Sequence, residues 1–221
     1  MQPLVFLFGN NREGQAGISH CDETISRPTV FPETFTTSDI CRAVMSQKQT
    51  LIYKNDGSIL SCGENDANEL GRSGKRSLLQ RIDALEAFQV TDVCVGEGFV
   101  IVVEKDGRAI SWGLNPLGQL GNGTRENKEK PRIGVVISDG ILQISAGAQH
   151  CVCISRSGDV FTWGGNRKGQ LGDGQLTSSC TPQLLHQLKH RPVTVVSCGE
   201  SHTLALTVGG NVYAWGDNSR Y

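Results

Sequence analysis

His150 stands directly before Cys151 and Cys153, and this trio is the first place where metal or nucleophilic chemistry would be sought. A structural zinc site needs four donors, usually as two closely spaced pairs. The eight cysteines include no C-x-x-C pair, and no second ligand pair accompanies His150. Cys94 and Cys198 fall at neighbouring places in a repeat, which argues packing, and a free cysteine is mostly a small buried hydrophobe. Neither a metal site nor a cofactor is expected. No Ser/His/Asp set, phosphate-binding G-x-x-x-x-G-K loop or paired acids at matching positions occur. An enzyme active site within these residues is therefore not expected.

The polar residues that remain suit binding better than chemistry. Three variable segments, 72–80, 122–130 and 186–191, carry Lys75 and Arg76, Lys128 and Lys130, and Lys189 and Arg191. All three are expected to gather on one rim as candidate partner-binding loops, together with Gln149 and Ser201. The alternative is an ordinary solvated surface. Asn122-Gly123-Thr124 matches a glycosylation acceptor. Without a secretory signal it is expected to stay idle.

These residues are positioned by a repeat. Glycine is followed two residues later by asparagine at Gly9/Asn11, Gly63/Asn65, Gly113/Asn115, Gly164/Asn166 and Gly216/Asn218. The interval is about 50 residues, which marks a repeat architecture whose units bury their apolar faces on one another. Approximate units are 1–38, 39–89, 90–140, 141–192 and 193–221. Apolar runs at 100–103, 151–154 and 204–206 are nearly continuous, as in strands buried on both faces. Each is followed by a turn pair (Asp56-Gly57, Asp106-Gly107, Ser157-Gly158, Gly209-Gly210) and a second strand (58–61, 109–112, 160–163, 212–215). A weaker strand precedes each pair at 92–95, 143–145 and 193–197. A fourth is expected at 132–137 and 183–188. Four antiparallel strands per unit, repeated radially, make a β-propeller, an all-β fold.

Trp112, Trp163 and Trp215 recur at one repeat position and are read as packing between blades. His150 and His202 share a position with Phe99 and Gln49, and are read as hydrogen-bonding elements inside the blade. Charge is balanced, with 21 basic and 22 acidic residues, and no basic run suits nucleic acid. The N-terminal apolar stretch is too short for a signal peptide or a spanning helix. It is read as the first strand, at 4–8. A cytoplasmic or nuclear protein without membrane or nucleic-acid partners is expected.

The pattern D-G-x-V-x-x-W-G-x-N-x-x-G-Q-L-G, preceded by C-G-x-x-H, resembles the regulator of chromosome condensation repeat. The best matches are 90–121, 141–172 and 193–221. The resemblance implies a seven-bladed propeller. It also implies uses ranging from nucleotide exchange on the GTPase Ran, through light sensing in plants, to propellers attached to kinases or HECT-type ubiquitin ligases. Seven such blades need roughly 360 residues. This chain is accordingly read as part of a larger protein, an incomplete propeller of about four repeats. In the plant photoreceptors the sensing tryptophans follow the glycine of G-x-x-H, where this chain has Glu97, Ala148 and Glu200, so light sensing is not expected. In the Ran exchange factor acidic and histidine side chains stand just before that histidine. The matching Lys48, Gly98, Gln149 and Ser201 lack that chemistry. The reading that results is a non-catalytic regulatory scaffold that binds another protein. Exchange on a small GTPase and the propeller arm of a HECT ligase are the alternatives. The uncovered face of the last repeat, with Leu204, Leu206 and Trp215, and an unpaired strand at 4–8 are expected to promote self-association.

Overall fold

A computed structural model describes residues 6–18, 23–30 and 40–219. Its strands form five antiparallel sheets in chain order. The first holds β1 (Phe6–Asn10) and β2 (Thr24–Val30). The second holds β3 (Ile40–Met45), β4 (Gln49–Lys54), β5 (Ile59–Gly63) and β6 (Gln80–Arg81). The third holds β7 (Val90–Val95), β8 (Phe99–Glu104), β9 (Ala109–Gly113) and β10 (Lys128–Val135). The fourth holds β11 (Ile141–Ala146), β12 (His150–Ser155), β13 (Val160–Gly164) and β14 (Ser179–Leu184). The fifth has three strands, β15 (Val193–Cys198), β16 (His202–Thr207) and β17 (Val212–Gly216). Within each sheet consecutive strands are neighbours, so each sheet is a meander and the whole is a propeller-like all-β fold. Helix among the described residues is confined to two 3-10 turns, Asp83–Leu85 and His186–Leu188.

The continuous apolar runs do bury both faces. Val100, Ile101, Val102 and Val103 are fully enclosed, as are Cys151, Val152, Cys153 and Ile154. Alternation decides which neighbour each one meets. Val100 and Val102 pack against Leu51 and Ile59 of the second sheet. Phe99, Ile101 and Val103 pack against Ile144, Cys151, Cys153 and Trp163 of the fourth. Val152, Ile154 and Val160 in turn meet Val193, Val196 and Ala205 of the fifth. The third and fourth sheets thus each offer one face to the sheet before and one to the sheet after, and the core lies in the seams.

Several expected elements shift. The fourth strands run 128–135 and 179–184 rather than 132–137 and 183–188. Residues 186–188 instead turn in a 3-10 helix that buries Leu188 and leads from β14 back to β15. The first strand is Phe6–Asn10, residues 4 and 5 lying outside the described set. It pairs with β2 and so is not left without a partner. Trp215 lies on the face of β17 that carries the buried Thr203, toward the fourth sheet. It therefore does not share the uncovered face of Leu204 and Leu206.

The chain direction fixes two rims. The first strands of the sheets (β3, β7, β11, β15) end at one rim, where the G-x-x-H loops lie, here called the upper rim. The G-x-N and G-Q-L-G loops lie there too. The hairpin turns at 55–58, 105–108, 156–159 and 208–211 lie at the lower rim.

Candidate functional site on the upper rim

One contact recurs at every seam of the upper rim. The indole Nε1 of Trp112 donates to the Glu69 carbonyl at 2.8 Å, Trp163 to Gln119 at 2.9 Å and Trp215 to Gln170 at 2.8 Å. Cys62, at the same repeat position, donates its thiol to the Gln15 carbonyl at 3.4 Å. Trp112 and Trp163 are fully enclosed, and Trp215 is half-buried. A large aromatic with a satisfied N–H suits a seam that is apolar within and polar at its rim. The final glycine of G-Q-L-G must be small to permit it. A Cβ on Gly121 would lie 2.8 Å from the Trp163 Nε1, and the residue holds φ +67°.

The repeat asparagine builds the loop that presents this carbonyl. The Asn115 Oδ1 accepts the Leu120 N–H at 2.9 Å, and its amide donates to the Thr124 and Glu126 carbonyls at 3.0 Å each. Asn166 repeats the pattern with the Leu171 N–H, the Asp173 carboxylate and the Gln175 carbonyl. Asn218 is exposed. The Asn122 Oδ1 accepts from the Thr124 N–H and hydroxyl, so the would-be glycosylation asparagine is engaged in its own turn.

His150 is fully buried and bridges two sheets, where a role inside one blade was expected. Its Nε2 lies 2.9 Å from the Thr203 hydroxyl, which donates its single proton to the Gln170 carbonyl at 3.0 Å. The Nε2 must therefore carry the imidazole proton. The Nδ1 is left as a buried acceptor with no hydrogen-bond partner. Burial, reinforced by the charge of His202, lowers its pKa to about 4. The glycine three residues earlier makes room for the ring: a Cβ on Gly147 would lie 2.3 Å from the His150 Cε1. Gly96 stands the same way beneath Phe99. In the second repeat the pair is Ser46 and Gln49, where no ring requires the space. His202 is exposed.

The loops are tied to one another as well. The Glu97 N–H donates to the Ala148 carbonyl at 2.9 Å, and the Ala148 N–H to the Glu200 carbonyl at 3.0 Å. They surround a depression of about 430 Å³. Its wall includes Val95, Ala146 and Cys198, and its mouth carries Lys48, Glu64, Glu97 and Glu200. Lys48 is 2.6 Å from Glu64, and this hydrogen bond, with the charge of Glu64, raises the Lys48 pKa. Glu97 and Glu200 have no ion pair among the described residues. Exposed Gln149 and half-buried Ser201 lie on the adjoining loops.

The three variable segments do not share this rim. Segments 72–80 and 122–130 follow the third strands at the upper rim, whereas 186–191 lies in the return from β14 to β15, at the lower rim. The register of the repeat explains the error: the true counterpart of 122–130 is the stretch from Asp173 to Thr181. Arg76 pairs with Glu13 at 3.3 Å across the first seam, and Lys128 with Glu126 at 3.4 Å. Lys75 and Lys130 are exposed. At the lower rim Arg191 donates to the Tyr213 hydroxyl at 2.6 Å, and Lys189 is exposed. Among the described residues no three His, Cys, Asp or Glu side chains converge as a metal set.

Two organising residues carry no motif. The Arg72 guanidinium holds its loop by donating to the Ser61 and Leu78 carbonyls at 2.6 and 2.7 Å and to the Gln80 side chain at 2.9 Å. Asp92 spans three sheets: it pairs with Arg42 of the second and accepts the Ile144 N–H of the fourth at 2.9 Å. Its signal was available at the repeat level, because Gln143 fills the same place and accepts the Val196 N–H at 3.2 Å.

Comparison with known proteins agrees with this geometry. Residues 106–154 and 157–206 match the Regulator of chromosome condensation (RCC1) repeat, and a second model of that repeat matches 141–170 and 193–221. Together the matches span 106–221, more than half of the chain. The E3 ubiquitin-protein ligase HERC2 of Homo sapiens is 31% identical over 205 residues, covering 91% of this chain and 4% of that protein. The crystal structure of human WBSCR16 superposes with a TM-score of 0.83 at 24% identity, over 100% of this chain and 58% of that one. Prp20p from Saccharomyces cerevisiae, whose structure was described with its binding to Gsp1p and histones, gives 0.74 at 21% identity, over 88% and 49%.

Proposed function

Because the chain belongs to the regulator of chromosome condensation repeat family, we propose that it is a non-catalytic, protein-binding propeller, part of a larger cytoplasmic or nuclear protein. Partner contacts fall on the upper rim, at Gln149, Ser201, Lys75, Arg76, Lys128 and Lys130. One observation carries this reading. The rim loops are locked by buried rings packed against glycine and by backbone bonds from Glu97 to Ala148 and from Ala148 to Glu200, yet they display exposed side chains. A rigid scaffold with freely variable exposed positions is the usual form of a recognition surface, because little ordering entropy is lost on binding. A photo-crosslinking amino acid at Gln149 is expected to capture a discrete protein partner in cells, and the same group at Asn211 on the lower rim is not. Adducts only from Asn211 would refute the assignment.

Two narrower readings have specific support. The fold likeness to Prp20p favours a small GTPase partner, and with it nucleotide exchange. The rim positions Lys48, Gly98, Gln149 and Ser201 carry neither acid nor histidine, so release of a fluorescent nucleotide from Ran is expected to stay at its intrinsic rate. Clear acceleration would put exchange first. The 31% identity to HERC2 favours a propeller arm of a HECT-type ligase. Ubiquitin-conjugating activity that co-purifies with the tagged native protein tests it, and its absence would remove the reading.

A further inference from the structure

The mouth of the upper-rim depression has a chemistry of its own. Three carboxylates and one ammonium line it: Lys48 is hydrogen-bonded to Glu64 and also feels Glu97, while Glu200 stands on the far loop. Lys48 is neutralised by Glu64, so Glu97 and Glu200, both exposed and without an ion pair among the described residues, set the sign of the opening. Below them the wall becomes apolar, with Val95, Ala146 and Cys198.

A second, independent feature lies in the same wall. Gln49 lines the depression and is 1% exposed. Its amide donates to the Glu64 carbonyl at 3.4 Å, but its Oε1 acceptor has no hydrogen-bond partner. Buried acceptors in folded proteins are nearly always satisfied. An unpaired acceptor on a residue that lines a cavity with an anionic mouth would be satisfied by a donor, and a donor that carries positive charge would suit the mouth as well.

We propose that this depression is a receptor site for an arginine or lysine side chain of the protein partner. Its charge would lie between Glu97 and Glu200, an N–H would reach the Gln49 Oε1, and its methylenes would lie against Val95 and Ala146. The volume, about 430 Å³, accommodates one long side chain and an aliphatic neighbour. Long basic side chains suit such a site because their stems are apolar and their heads are donors only. The proposal rests on the upper rim being the partner face.

Two acetylated, amidated peptides, Gly-Arg-Leu-Arg-Gly and Gly-Glu-Leu-Glu-Gly, test it by calorimetric titration of the whole chain. The arginine peptide is expected to bind, more weakly at higher salt, and the glutamate peptide is not. The double variant Glu97→Gln, Glu200→Gln should weaken binding about tenfold, since two charge-assisted contacts are lost. Both side chains are exposed, so folding should be unchanged. Gln49→Met should weaken binding while raising the thermal midpoint, because the orphan acceptor is gone; a purely structural role for Gln49 would not separate the two. The proposal is overturned if the arginine peptide fails to bind at millimolar concentration. Equal binding of both peptides, or an affinity of the double variant within twofold of the parent, also overturns it. Rim crosslinking from Gln149 alongside any of these failures would leave the partner face standing and remove only the basic ligand.

Discussion

Replacing His150 by phenylalanine isolates one buried ionisation. The neutral ring is enclosed between two sheets, and burial sets its pKa at about 4 against an unperturbed 6.5. Between those values the unfolded chain holds a proton that the folded chain does not. Stability contributed by the neutral ring is therefore full above pH 6.5 and is lost as the pH falls toward 4. Linkage gives a loss of about 2–3 kcal/mol by pH 4.5 from this group alone. Phenylalanine is the right replacement because Phe99 already occupies the equivalent place over Gly96. His150→Phe should cost about 1 kcal/mol at pH 7 through the lost bond to Thr203. Denaturant midpoints at pH 7 and pH 4.5, measured on both proteins, give the result as a difference of differences that cancels the carboxylates. The parent should lose about 2–3 kcal/mol more than the variant over that interval. Equal losses would show that the histidine titrates normally and is not sealed in the seam.

Trp163→Ala should cost about 3–5 kcal/mol, as large core truncations do, whereas half-buried Trp215→Ala should cost about half as much; an unchanged midpoint for Trp163→Ala would show an exposed ring. Gly121→Ala should cost about 1–3 kcal/mol, because the residue holds φ +67° and the added methyl meets Trp163 and Val135. Calorimetry checks it, and a neutral result would mean that the seam gives way freely. The chain should self-associate through its uncovered last face, where Leu204, Leu206 and Val212 are 40%, 36% and 67% exposed. Light scattering should show this for the parent and less of it for Leu204→Lys with Leu206→Lys, and a clean parent monomer would contradict it.

The repeat was legible in the sequence because its elements are local. A strand-length apolar run, a turn glycine and a second strand need only short-range geometry, and Gly57, Gly107, Gly158 and Gly210 do adopt positive φ. The seam tryptophans were legible by recurrence alone. What sequence could not give was the partner of each group, since the seam contacts join residues of neighbouring repeats that lie far apart in the chain, 33 positions for Thr203 and Gln170 and 53 for His150 and Thr203. The Trp163 indole meets the Gln119 carbonyl 44 positions away, and the carboxylate of Asp92 meets the Ile144 N–H 52 positions away. The rim assignment of 186–191 failed for a related reason: loops equally rich in lysine and arginine leave opposite ends of a strand, and only chain direction separates them. The receptor-like depression was invisible for the same cause. Glu97 and Glu200 lie 103 residues apart, and each is an ordinary loop carboxylate until backbone bonds through Ala148 place both at one mouth. Local propensity is written in short stretches of chain, and sequence alone determined the blades; the charge, depth and unpaired acceptor of the opening were decided by the stacking of sheets, which brings distant groups out of water together.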